Sequence, residues 1–232
     1  MVINIVVPQS KEKTLKPFEV KDKYSALSHF IGFVLSIVLA PILLIKGALD
    51  NKSLVELISY AIFTLSMILL YGSSTAYHSF NLPSEEKNKR LKKLDHMMIS
   101  VLIAGTYTPL CVSLIKGREG IILLSVVWSL ALLSIVFKAF WVTCPCFVSS
   151  IIYLAIGWAC APVLGKLYKL LTPKGFRLLL SGGILYTIGG VIYATKLPLL
   201  EKNKEFRSHE LFHLFILGGT IFHFLMVYFY VA

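Results

Sequence analysis

The chain has 232 residues, 56% of them hydrophobic and only 15% charged, with a mean hydropathy of +0.77. A soluble domain carries about 25% charged residues. So few polar side chains cannot cover a water-facing surface, which excludes a soluble enzyme, a disordered protein and a nucleic-acid-binding domain and leaves an integral membrane protein. The net charge is +11, but the basic residues fall between apolar runs, so they read as signals of membrane orientation rather than as a nucleic-acid footprint.

The first 24 residues are polar and rich in lysine, and no cleavable signal peptide is visible. They are expected to form a cytoplasmic tail (1–24) ahead of a transmembrane domain (25–232). A spanning helix needs ~20 mostly apolar residues, because it rises 1.5 Å per residue across a ~30 Å hydrocarbon core. Seven runs qualify, at 25–48, 54–80, 94–115, 120–140, 147–168, 176–195 and 209–231. An open sheet cannot span a bilayer, so the expected fold is all-α, a polytopic bundle of seven transmembrane helices. The gaps are short and carry turn and charge signals, among them Asp50-Asn51, Pro83-Ser84-Glu85-Glu86, Lys116-Gly117-Arg118 and Thr172-Pro173-Lys174-Gly175. The gap at 141–146 is barely polar.

Fifteen of the 23 basic residues fall on the side of the N-terminus and eight on the other. Positive charge concentrates in the cytoplasm, so the N-terminus is expected inside and the C-terminus outside. Cys111 and Cys160 sit in apolar runs and read as small buried hydrophobes, while Cys144-Pro145-Cys146 lies near a helix end and suggests no disulfide framework. In the sixth helix Gly183 shares a face with Thr187, and Gly190 with Ala194, a spacing that suits close helix packing in lipid.

Ionisable residues inside spanning segments are costly and point to function. The second helix ends on Ser74 and His78, the third opens with Asp95-His96, the seventh opens with His209-Glu210-Leu211-Phe212-His213, and the first opens with Ser28-His29. Alternating topology puts all of these at the cytoplasmic end. His209 and His213 are one turn apart on one face, so both imidazoles can reach a single Zn²⁺, with His78 as a third ligand at the same depth. Ser74 lies one turn from His78 on the same face, and Asp95 is placed to accept a proton from a zinc-bound water. Three histidines plus water is the open arrangement of a catalytic site. His96 and His223 read as interfacial side chains, His223 being about 15 Å deeper than His213 along the helix. His209-Glu210-x2-His213 is also literally the zinc-protease pattern, with Glu210 as base. That reading leaves Ser74, His78 and Asp95 without roles, and Glu210 is then a negative charge favoured at a helix N-terminus.

Ser74-x3-His78, Asp95 seventeen residues later, Ala104-Gly105-Thr106-Tyr107-Thr108-Pro109 and His209-x3-His213 together resemble the hemolysin III branch of the progestin and adipoQ receptor family. The resemblance runs from Asp22 to the C-terminus. It implies a seven-helix bundle with a cytoplasmic N-terminus, zinc held by His78, His209 and His213, Asp95 on the zinc water and Ser74 close by. In the first helix the branch shows Glu-x2-Asn-x3-His. Here those positions are Asp22, Ser25 and His29, so the histidine is kept, the amide is lost, and His29 is expected beside the site. The wider superfamily includes alkaline ceramidases. The resemblance therefore implies a zinc-dependent hydrolase of a lipid amide or ester, with membrane lipids as partners. The alternatives are a receptor-like or regulatory protein with structural zinc, and an oligomeric pore-forming cytolysin.

Overall fold

The computed structural model describes residues 20–202 and 206–232. Most of the expected N-terminal tail thus lies outside the described residues. Among the described residues nine α-helices follow one another: α1 (Lys23–Leu49), α2 (Leu54–Ser79), α3 (Glu85–Pro109), α4 (Gly117–Phe140), α5 (Cys146–Gly157), α6 (Leu164–Leu170), α7 (Pro173–Thr195), α8 (Pro198–Glu201) and α9 (Ser208–Tyr230). Seven spans are long and apolar enough to cross a membrane, and no strand occurs among the described residues. The all-α seven-span expectation therefore stands. α1, α2, α4, α7 and α9 are each one span. α3 runs on through a π-helical turn to Ile115, and α5 and α6 form one span through a 3₁₀ segment at Trp158–Val163.

Local chemistry sets the helix ends. Ser53 and Glu56 close a capping box on α2, and Ser84 accepts from the Lys87 N–H at the start of α3. Thr172 accepts from the Gly175 N–H, with Pro173 following at the first helical position of α7. The capped start of α3 explains why it begins nine residues before the predicted span at 94. Its charged first turns are a good helix but a poor membrane segment, and hydropathy sees only the apolar part.

α1 packs on α2 and α9, α2 on α3, α3 on α4 and α5, α5 on α7, and α7 on α9. α3 is the inner helix, with 67% of its apolar window buried against 22–44% for the others. Large apolar side chains such as Ile45, Ile121, Leu133 and Phe140 face outward, while Ser, Thr and His side chains lie within. That is the polarity of a protein whose solvent is lipid.

The Ala104–Pro109 motif is structural. A Cβ on Gly105 would lie 2.2 Å from Ser66 Oγ, so only glycine lets α2 and α3 approach this closely. The Tyr107 hydroxyl donates to the Gly157 carbonyl and accepts from the Cys160 N–H at 3.1 Å, serving backbone groups released where the fifth span breaks near Pro162. Thr108 Oγ1 donates to the Ala104 carbonyl and accepts from Trp128 Nε1 at 3.2 Å.

Three sequence expectations need correction. A Cβ on Gly190 would meet Leu154 of α5 at 3.3 Å, as the spacing suggests, but Gly183 has open space around its Cα because it lines a cavity, and the tight contacts of α7 with α9 are made by Gly175, Gly182 and Gly189 against Tyr230, His223 and Phe215. Lys138 is one of the fifteen basic residues counted on the side of the N-terminus. It is fully buried, donating to Ser149 Oγ and Cys144 Sγ, because the chain after α4 folds back over it. His96 and His223 are buried as well, for reasons given below.

Candidate metal centre

The last turn of α2 carries His78, and the first two turns of α9 carry His209 and His213. One ring nitrogen from each lies within 4.8 Å of the other two. His209 Nε2 and His78 Nε2 are 3.3 Å apart. That is about the separation of two nitrogens on one tetrahedral ion with bonds of 2.0–2.1 Å. The donor set, three imidazoles with no thiolate, suits zinc and leaves a fourth position open. By donor type and spacing, the residues present fit the ion that the sequence implies.

His78 is oriented from behind. Its Nδ1 lies 2.9 Å from Oδ2 of Asp22, the residue just ahead of α1, which leaves Nε2 to face the other two histidines. This is the carboxylate–imidazole arrangement that fixes the tautomer of metal-bound histidines. The same hydrogen bond holds the Asp22 carboxyl below its ordinary pKa. Lys21 lies 3.5 Å over the Tyr77 ring and 4.0 Å from Asp22, closing this side.

His29 of α1 stacks on His213 with ring centroids 3.8 Å apart, and its own ring meets the Tyr71 edge. Neither of its nitrogens has a hydrogen-bond partner among the described residues. Its position beside the three histidines matches the expectation. Asp95 is buried and lines one recess together with His29, His209 and His213. Its Oδ2 is 3.3 Å from His96 Nδ1, which also meets the Lys92 carbonyl at 3.0 Å, so His96 is buried as a partner of Asp95 rather than exposed at the interface. Ser74 is fully buried one turn before His78, with its hydroxyl unpartnered among the described residues.

Glu210 turns away from this recess. Its Oε2 accepts from the Arg207 N–H at 2.8 Å, capping α9, and its Oε1 accepts from Ser25 Oγ at 3.2 Å, tying α9 to α1. The carboxylate of the protease-like motif is thus spent on the helix N-terminus. Sequence reasoning missed Asp22 as a partner of His78. The available signal was an acid at the position where the related branch carries glutamate.

Beside the recess lies a second, larger cavity, with about 120 Å³ open to the centre of a water-sized sphere, room for on the order of ten waters. Leu70, Ile99, Tyr153, Tyr193, Phe212 and Ile216 line both, so the two spaces share a wall. Among the described residues no Asp, Glu, Lys or Arg side chain lines the larger one.

These features define a class: multi-pass helical membrane proteins with a histidine centre at one end of the bundle. The chain belongs to the family described as Haemolysin-III related, which matches residues 19–224. It is 42% identical over 216 residues to the Hemolysin-3 homolog of Bacillus subtilis, covering 92% of this chain and 96% of that relative. It is 39% identical over 208 residues to Hemolysin-3 of Bacillus cereus, covering 89% and 90%. The Adiponectin receptor protein of Drosophila melanogaster is 24% identical over 216 residues, covering 85% of this chain and 48% of that protein.

Proposed function

We propose that this protein is a zinc-dependent membrane hydrolase of a lipid amide or ester, with its site at the cytoplasmic end of the bundle. The observation that carries the reading is the wall shared by the histidine recess and the uncharged apolar cavity. A carbonyl can sit by the histidines while its acyl chain occupies the cavity. His78, His209 and His213 hold the ion, and Asp22 orients His78. Zinc in such a site would supply a bound water whose pKa is lowered towards ~7 and a Lewis acid for a carbonyl oxygen. Asp95 accepts the proton of the attacking water at a carboxylate oxygen, and His96 holds that carboxylate in place. The Ser74 hydroxyl donates to the oxygen on which negative charge develops. Aromatic rings from Tyr153, Tyr193 and Phe212 keep bulk water out.

The name Hemolysin-3 of the Bacillus cereus relative raises lysis as another activity. Five of the six histidines and the buried carboxylates Asp95 and Glu210 gather at one end, and no Asp, Glu, Lys or Arg among the described residues lines the cavity. That favours a site over a pore.

The test joins metal analysis of the purified protein to a lipid-hydrolysis screen. About one zinc per chain is expected, and it is lost from the His78→Ala/His209→Ala/His213→Ala variant. Asp95→Asn keeps zinc but loses turnover by 10²–10⁴-fold, the usual effect of removing a general base, whereas Glu210→Gln stays near wild type. Turnover lost only in Glu210→Gln would move the base to that residue. Zinc without turnover on any lipid would leave a regulatory role.

A further inference from the structure

The larger cavity is apolar except at a few points, and most of these are already engaged. Tyr186 Oη bonds Thr220 Oγ1 at 2.8 Å, and Thr187 Oγ1 donates to the Gly183 carbonyl at 2.7 Å and accepts from Trp158 Nε1 at 3.1 Å. Two polar side chains on the wall bury an atom with no hydrogen-bond partner among the described residues, Ser150 at Oγ and His223 at Nδ1. Ser150 is one turn into α5, at the end of the bundle that holds the histidines. His223 is ten residues beyond His213 on α9, about 15 Å deeper.

His223 is 6% exposed and is held by its surroundings. A Cβ at residue 182 would meet its Nε2 at 2.7 Å, so Gly182 makes room for the ring, and the Tyr186 ring lies 5.2 Å away. A buried polar atom left unbonded costs about 1–3 kcal/mol. An apolar cavity does not readily supply a water, which needs two to four polar partners. The His223 ring lines the cavity and neither of its nitrogens bonds a described residue, so its partner is supplied by what fills the cavity. An ionised group would be too costly at that depth with no countercharge on the wall. A hydroxyl meets the requirement, because neutral imidazole offers one donor and one acceptor.

We infer that His223 forms a distal subsite that binds a hydroxyl carried in the middle of an acyl chain whose carbonyl end lies at the histidine centre. This rests on the lipid reading proposed above. It makes His223 a specificity-determining residue that selects chains by where their hydroxyl sits.

The experiment is competition against a fluorescent conjugated-polyene fatty acid on the purified full-length protein in nanodiscs. The competitors are octadecanoate, octadecanoate hydroxylated in mid-chain, and octadecanoate hydroxylated next to the carboxylate. The wild type should bind the mid-chain hydroxyl form about three- to tenfold more tightly than the plain chain, the effect of one neutral hydrogen bond. It should show no such gain for the hydroxyl next to the carboxylate. His223→Leu should lose the preference while holding the plain chain, and His223→Gln should keep part of it. Equal melting temperatures establish that the variants are folded. If the wild type binds all three chains alike, or His223→Leu keeps the preference, the subsite is refuted while the lipid cavity stands. If no chain binds the wild type, the lipid reading fails and the subsite with it.

Discussion

Asp22 shows how one side chain outside the membrane governs a group inside it. Its carboxylate is half-exposed, yet it bonds the buried His78 and sets which nitrogen of that ring faces the centre. Asp22→Asn retains the shape but loses the charge that raises the basicity of the ring. Zinc affinity should fall 10–100-fold, as with other partners of metal-bound histidines, and a competitive chelator titration reads the change directly. Most of the histidine cluster was legible because i,i+4 spacing and topology constrain depth and face. Asp22 was not, because nothing in the sequence says that the chain before α1 returns to the end of α2. That return is a backbone bond from the Asp22 N–H to the His78 carbonyl at 2.9 Å. His96 and His223 show the complementary failure. A histidine near an apolar run reads as interfacial by default, and only packing shows Asp95 beside the first and a cavity beside the second.

Between helices, small residues divide into those that allow contact and those that leave space, and spacing alone does not separate them. Gly105→Ala drives a methyl into Ser66 and should destabilise the protein by about 1–3 kcal/mol, as overpacking does. Gly183→Ala meets nothing within 4 Å and should be neutral, or gain up to ~1 kcal/mol from helix propensity. Thermal unfolding of both variants in one detergent gives the comparison, and equal melting temperatures would show that α2 and α3 are less closely packed than described. Tyr107→Phe leaves the Gly157 carbonyl and the Cys160 N–H without their hydroxyl partner. It should cost about 1–3 kcal/mol and raise hydrogen exchange within Trp158–Val163 above that of neighbouring turns. The break itself was hard to foresee, since Trp158–Val163 is as apolar as the rest of its span and Pro162 is its one local warning.

Across the whole molecule, seven spans put the residues before α1 and those after α9 on opposite faces of the membrane. The lysine and arginine bias predicts the cytoplasm for the first of these. Reporter fusions at Asn4 and Ala232 should therefore give opposite compartments, and a shared compartment would mean that a span has been miscounted. Hydropathy made this count readable, because every span must cross the same thickness of hydrocarbon and no soluble layer obscures the pattern. The histidines add a constraint of another kind. His78 and His209 stand 131 residues apart in the chain. A ribosome feeding this protein into the bilayer releases four more spans after α2 before the last one supplies the other two imidazoles. Until then His78 has no partners, and the early spans have no means of gripping an ion. With zinc held as proposed, the centre is a clasp that closes only on a finished chain, and a cell short of metal would inherit bundles complete in sequence but unfastened at their final helix.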